Sequence, residues 1–124
     1  CSYCYAKQLL DFRKLWNPEH PSIGNISKIA KEIRKLPKGK VVRLGGMTDC
    51  FMPCEKTYKV TYKTIKLLNK RAIPYLIVTK SSLIADDDYM AILDKDLAHI
   101  QITVTTLDDD FYIKKKYLKT YKKK

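Results

Sequence analysis

The sequence predicts an α/β fold built around a parallel sheet, and two observations carry that expectation. Amphipathic helical stripes alternate with short apolar runs in the order helix, strand, helix, strand, helix, strand. Each apolar run then ends in polar or glycine-rich residues: Gly45-Gly46-Met47-Thr48-Asp49, Thr79-Lys80-Ser81 and Thr105-Thr106-Leu107-Asp108. Strands apolar on both faces imply parallel pairing with right-handed crossovers. In such sheets ligands collect at the carboxyl ends of the strands. Three strands are too few to close a barrel, and the expected architecture is a parallel α/β sheet. Residues 1–110 carry it and residues 111–124 form a basic tail rich in Lys and Tyr.

The elements follow in order. Residues 7–24 read as a polar, proline-containing connection. Asn25 can cap a helix in which Ile26, Ile29, Ala30, Ile33 and Leu36 recur on one face, and Pro37 and Gly39 end it. Residues 41–46 read as a short buried strand leading into a loop with Thr48, Asp49, Cys50 and Pro53. A second helix is expected over residues 55–70, with Tyr58, Tyr62, Ile65 and Leu68 on one face. Pro74 opens the apolar strand Tyr75–Thr79. Asp86, Asp87 and Asp88 offer caps and favourable charge to a third helix carrying Met90, Ile92 and Leu93. Residues 100–105 read as the third strand.

Composition narrows the function classes. At 124 residues the chain has the size of one domain, and 45% apolar with 31% charged residues fits a folded chain rather than a disordered one. No stretch is apolar and long enough to span a bilayer, and the first residues do not read as a secretory signal, so a cytoplasmic protein is the expectation. The chain opens on Cys1 without Met, which suggests that it belongs to a longer protein. The net charge of +12 has two readings. Clustered lysines neutralise phosphate and favour a nucleic-acid partner. Lysines spread over every helix equally describe solvated helix faces.

Four cysteines fall in two tight pairs, Cys1/Cys4 and Cys50/Cys54. Without an export signal, such pairs point to metal or redox chemistry rather than a disulfide framework. The Cys1-Ser-Tyr-Cys4 spacing lets both sulfurs reach one metal centre from a single loop, whether zinc, a redox pair or an iron-sulfur cluster. Cys50 and Cys54 leave a second metal site, a reactive thiol and ordinary small buried residues all open. His20 and His99 lack partners at ligand spacing, and the runs Asp86 to Asp88 and Asp108 to Asp110 read more readily as caps and solvated turns than as cation sites.

Taken with the strand that ends in two glycines, Cys1-Ser-Tyr-Cys4-Tyr-Ala resembles the radical S-adenosylmethionine (SAM) superfamily. Downstream, the run from Gly46 to Lys56 (GMTDCFMPCEK) and the run Tyr75 to Ser81 (YLIVTKS) are similar to signatures of its spore photoproduct lyase-like group, also called DNA repair photolyase-like proteins. The run Ile102 to Asp108 resembles that group's next strand end. The resemblance implies a partial barrel of the radical SAM type, incomplete at both ends. It also implies a 4Fe-4S cluster, S-adenosyl-L-methionine as cofactor, an electron donor such as a flavodoxin or ferredoxin, and a 5'-deoxyadenosyl radical that abstracts hydrogen from a substrate. The superfamily's three cluster cysteines are spaced C-x3-C-x2-C. Cys1 and Cys4 correspond to the second and third, and the first is expected four residues before Cys1. The iron without a thiolate is the one that chelates the cofactor.

Carried over by resemblance, Tyr3 and Tyr5 flank the cofactor, and Gly45 and Gly46 let the backbone approach its methionine portion. Thr48 or Asp49 takes the place of the acidic residue that often follows such glycines. Lys80 pairs with the cofactor carboxylate and Ser81 donates to its polar groups. Two competing readings stand beside this one. In the first, Cys1, Cys4, Cys50 and Cys54 converge on one zinc in a non-catalytic, basic nucleic-acid module. In the second, the chain is a fragment without activity of its own. Substrate identity is not legible.

Overall fold

The computed structural model describes residues 5–15, 17, 20 and 22–104. Residues Ser22–Thr103 form one compact unit that holds the sheet, and helix α1, Tyr5–Phe12, belongs to a separate unit. Helix α1 occupies part of what the sequence suggests is a connection. Its Leu9 and Leu10 are partly covered, Tyr5 and Phe12 are exposed, and Lys7 pairs with Asp11 one turn on.

Within the larger unit the order is α2 (Ile26–Lys35), β1 (Val42–Leu44), α3 (Glu55–Tyr58), α4 (Val60–Lys70), β2 (Tyr75–Thr79), a short 3-10 turn (Ser82–Ala85), α5 (Asp87–Met90) and β3 (Ala98–Ile102). The three strands pair in parallel in the order β1-β2-β3, with Val42 opposite Tyr75 and Tyr75 opposite Ala98. The chain is therefore α/β, with the parallel sheet expected of a partial barrel.

Local chemistry explains most boundaries. Asn25 stays extended and its side chain accepts from the Lys28 amide at 3.1 Å, satisfying one of the free donors at the start of α2. Strand β2 is central and alternates between buried and partly buried residues, with Tyr75, Ile77 and Thr79 on the fully covered side. That side packs with Ile65 and Leu68 of α4, Ile33 of α2, and Phe51, Leu83, Ile84 and Tyr89 into one core.

Three expectations are corrected here. The helix predicted over residues 55–70 is two helices, α3 and α4, broken at Lys59, whose φ of 53° is left-handed. The third helix shrinks to the single turn Asp87–Met90, and Ser81 rather than an aspartate side chain caps the 3-10 turn before it, accepting from the Leu83 amide at 3.3 Å. The third strand begins earlier than residue 100, at Ala98, and is not covered on both faces: Ile100 and Ile102 are exposed, β3 being the outer strand of the sheet among the described residues.

Candidate functional site

The carboxyl ends of β1 and β2 lie side by side, as neighbouring parallel strands require. The chain leaves β1 through Gly45, at a φ of +82°. A Cβ there would lie 2.4 Å from the Val78 carbonyl oxygen, so the turn both demands glycine's conformational freedom and presses backbone against backbone. At Gly46 a Cβ would meet nothing within 4 Å, which leaves the main chain open beside the strand ends. Thr48, next in the loop, is exposed.

Asp49 joins the two strand ends. Its Oδ1 accepts from the Phe51 amide at 2.9 Å and its Oδ2 from the Lys80 amide at 2.9 Å. The Thr79 hydroxyl donates to both oxygens, at 2.7 Å and 2.9 Å. Thr79 Oγ1 in turn accepts from the Ser81 amide at 3.0 Å. The Thr-Lys-Ser run is thus a relay: one carboxylate from the preceding strand's loop fixes the Thr79 hydroxyl and the Lys80 amide, and the hydroxyl oxygen in turn holds the Ser81 amide. The side chain of Ser81 turns instead to the 3-10 turn it caps.

A second carboxylate organises the far end of the same loop. Glu55 is buried, and its two oxygens accept from the Thr61 and Tyr62 amides, each at 2.9 Å. These are free donors at the start of α4, so Glu55 folds back as that helix's cap, and the left-handed Lys59 makes the reversal. Tyr89 donates its hydroxyl to Glu55 Oε1 at 2.7 Å, and burial together with the carboxylate raises its phenol well above the ordinary range. Lys59 Nζ lies 5.0 Å from the Tyr89 ring centre and pairs with Asp88 at 3.0 Å. Thr61 completes the bracket by donating its hydroxyl to the Cys50 carbonyl at 2.8 Å.

Between these anchors lie Cys50 and Cys54, both free thiols lining a small cleft with Gly24, Thr48 and Tyr58. Burial pushes the Cys50 thiol up to about 12, with Asp49 adding to the rise, so it is held protonated. Among the described residues, no group of three or more His, Cys, Asp or Glu side chains gathers to hold a metal ion.

Of the residues singled out from sequence, Gly45, Gly46, Thr48, Asp49, Lys80 and Ser81 come to the adjoining ends of β1 and β2. Tyr5 starts α1 in the other unit. Cys1, Tyr3 and Cys4, and the strand end at Thr105 to Asp108, lie outside the described residues. His99 lies on β3 and is exposed, as is His20. Thr79, Glu55, Thr61 and Tyr89 escaped the sequence reading. Two of them carried a signal that could have found them: Thr79 in the Thr-Lys-Ser run and Glu55 at the end of the run Gly46 to Lys56.

A family model described as Radical SAM superfamily matches residues 1–124. The match takes in the whole sequence, so the chain belongs to that superfamily, whose members are enzymes of SAM-dependent radical chemistry. No curated protein and no solved structure matches the chain.

Proposed function

We propose that this radical SAM domain holds a 4Fe-4S cluster through Cys1 and Cys4 and seats SAM along the carboxyl ends of β1 and β2. The observation that carries this reading is the edge formed by Gly45, Gly46 and the Asp49-locked Thr79-Lys80-Ser81 run. It combines open backbone at Gly46 with a lysine and a serine fixed at the neighbouring strand end, which suits a ligand bearing a carboxylate and an amino group. When bound, the reduced cluster supplies the electron that cleaves the cofactor's sulfonium bond and yields a carbon radical.

The chain's own residues would act as binders. The Gly45-Gly46 turn admits the methionine portion without side-chain obstruction, Lys80 pairs with its carboxylate, and Thr48 and Ser81 offer hydroxyls. By the same resemblance, Tyr3 and Tyr5 would flank the cofactor, with an aromatic side chain against its adenine. The motif similarity to spore photoproduct lyase-like proteins supports lyase-like action on a nucleic acid in the cytoplasm. Exposed Lys28, Lys31, Lys63, Lys66 and Lys70 on α2 and α4 would supply phosphate contacts. A flavodoxin or ferredoxin would supply the electron.

Anaerobic reconstitution of the intact protein with iron and sulfide tests the reading. Brown absorbance and cofactor cleavage to 5'-deoxyadenosine under a chemical reductant are expected, abolished by Cys4→Ala and kept in Cys50→Ala. One colourless zinc per chain, lost equally in Cys4→Ala and Cys50→Ala, would overturn it in favour of a zinc module.

A further inference from the structure

Asp49 is the one acidic side chain at the β1 end that resemblance would place against the cofactor, yet its carboxylate is already committed. Both oxygens are taken up by three donors of the protein: the Phe51 amide, the Lys80 amide and the Thr79 hydroxyl. A carboxylate accepting charge-assisted bonds from fixed donors has little reason to exchange them for a mobile ligand, since each such bond is stronger than a neutral one. What those bonds accomplish is geometric. Phe51 belongs to the loop leaving β1, and its ring meets Tyr89 edge-on at 5.1 Å within the core. Thr79 is the last residue of β2 and is 2% exposed. Asp49 therefore ties the main chain at Lys80 to a loop that is itself anchored in the core.

We propose that Asp49 is a positioning residue for SAM: it aims Lys80 by fixing that residue's backbone, and does not itself touch the cofactor. The proposal rests on the reading above that Lys80 pairs with the cofactor carboxylate. Asp49 sets where the lysine's Cα stands and which way its stem leaves the sheet edge. Thr79 serves the same end from below, as donor to Asp49 and acceptor from Ser81.

The test is a pair of measurements on Asp49→Asn, Lys80→Ala and the double variant in the reconstituted intact protein. Asn keeps the size and one oxygen, but its amide nitrogen would face the Lys80 N–H if the other oxygen stays on Phe51, opposing two donors. Hydrogen exchange of cofactor-free protein comes first. The peptide spanning residues 79–81 should exchange about tenfold faster in Asp49→Asn, with core helix α4 unchanged. Unchanged protection there overturns the clamp whether or not any cofactor binds. Cofactor titration comes second. Asp49→Asn should weaken SAM binding about tenfold with iron content retained, Lys80→Ala about tenfold to a hundredfold, and the double variant no more than Lys80→Ala alone, because a residue acting through a missing partner has nothing left to lose. Multiplicative losses in the double variant would make Asp49 a direct ligand. Thr79→Ser should retain affinity and Thr79→Val should not. A wild-type protein that holds iron but binds no SAM would overturn the cofactor reading and the aiming of Lys80 with it, while the exchange result still reports on the clamp.

Discussion

Asp49 and Glu55 bracket one loop and use the same chemistry to different ends. Each carboxylate accepts from two backbone amides and one hydroxyl. Glu55 is buried and its donors belong to a helix start and a core tyrosine, so its bonds hold the fold. Asp49 is only partly buried, and two of its donors belong to the end of β2, where we propose that the cofactor sits. The lesson is that the partner, and not the carboxylate, decides whether such a group serves stability or function. All of Glu55's donors sit in or against the core and cannot recover bonds to water when the acceptor is lost, whereas among Asp49's donors the partly buried Lys80 amide can turn to water.

The largest expected effect lies at Glu55. Glu55→Ala strands two amides and the Tyr89 hydroxyl inside the core, and should cost about 3 kcal/mol or more by urea unfolding. Glu55→Gln, which keeps one acceptor, should cost roughly half as much. A loss under about 1 kcal/mol in Glu55→Ala would erase the contrast, since Asp49→Asn is expected to cost no more than that.

At the other end of the loop, Gly45→Ala forces a side chain into a left-handed turn with the Val78 carbonyl in its path, at an expected cost of about 2 kcal/mol. Because the same shift displaces the β1 end relative to β2, cofactor binding should fall more than stability. Equal affinity for SAM in a folded Gly45→Ala protein would detach this turn from the site.

The smallest effect sharpens the comparison through pH. The Cys50 thiol, between the two anchors, is raised in the folded chain from 9.0 to about 12. A raised value means that the folded state keeps a proton the unfolded chain gives up. The associated stability is complete below about pH 9 and is lost as pH rises toward about 12. Cys50→Ala should therefore lose less stability than wild type between pH 8 and pH 10, by about 1 kcal/mol at most. Thiol reagents should label Cys50 slowly at pH 8 in the folded protein and quickly once it is unfolded. Fast labelling in the folded state would show the loop to be open between its anchors.

Much of this architecture was legible without coordinates. The apolar run Tyr75–Thr79 read as an inner strand, Asn25 before a 3.6-residue apolar stripe read as a helix start, and their alternation implied parallel pairing. These are local signals, carried by periodicity and by a cap whose partner is three residues away. The glycines after β1 and the Thr-Lys-Ser run marked the adjoining strand ends for the same reason, since strand ends announce themselves where an apolar run stops.

Periodicity continued unbroken through Lys59, so the division of α3 from α4 was decided only when the Glu55 side chain found the amides of Thr61 and Tyr62 and reversed the chain. It likewise promised a covered third strand, but burial depends on what packs against a face, and β3 is the outer strand among the described residues, with Ile100 and Ile102 exposed. Most of all, the sequence marks Asp49 as an acid beside a glycine turn and says nothing of its partners. Thr79 and Lys80 lie some thirty positions further along the chain and reach it only because parallel pairing lays the end of β2 against the end of β1. Pattern fixes which segments become strands and helices because it acts over a few residues. The task of a carboxylate is set by donors that only the folded sheet brings within hydrogen-bond reach.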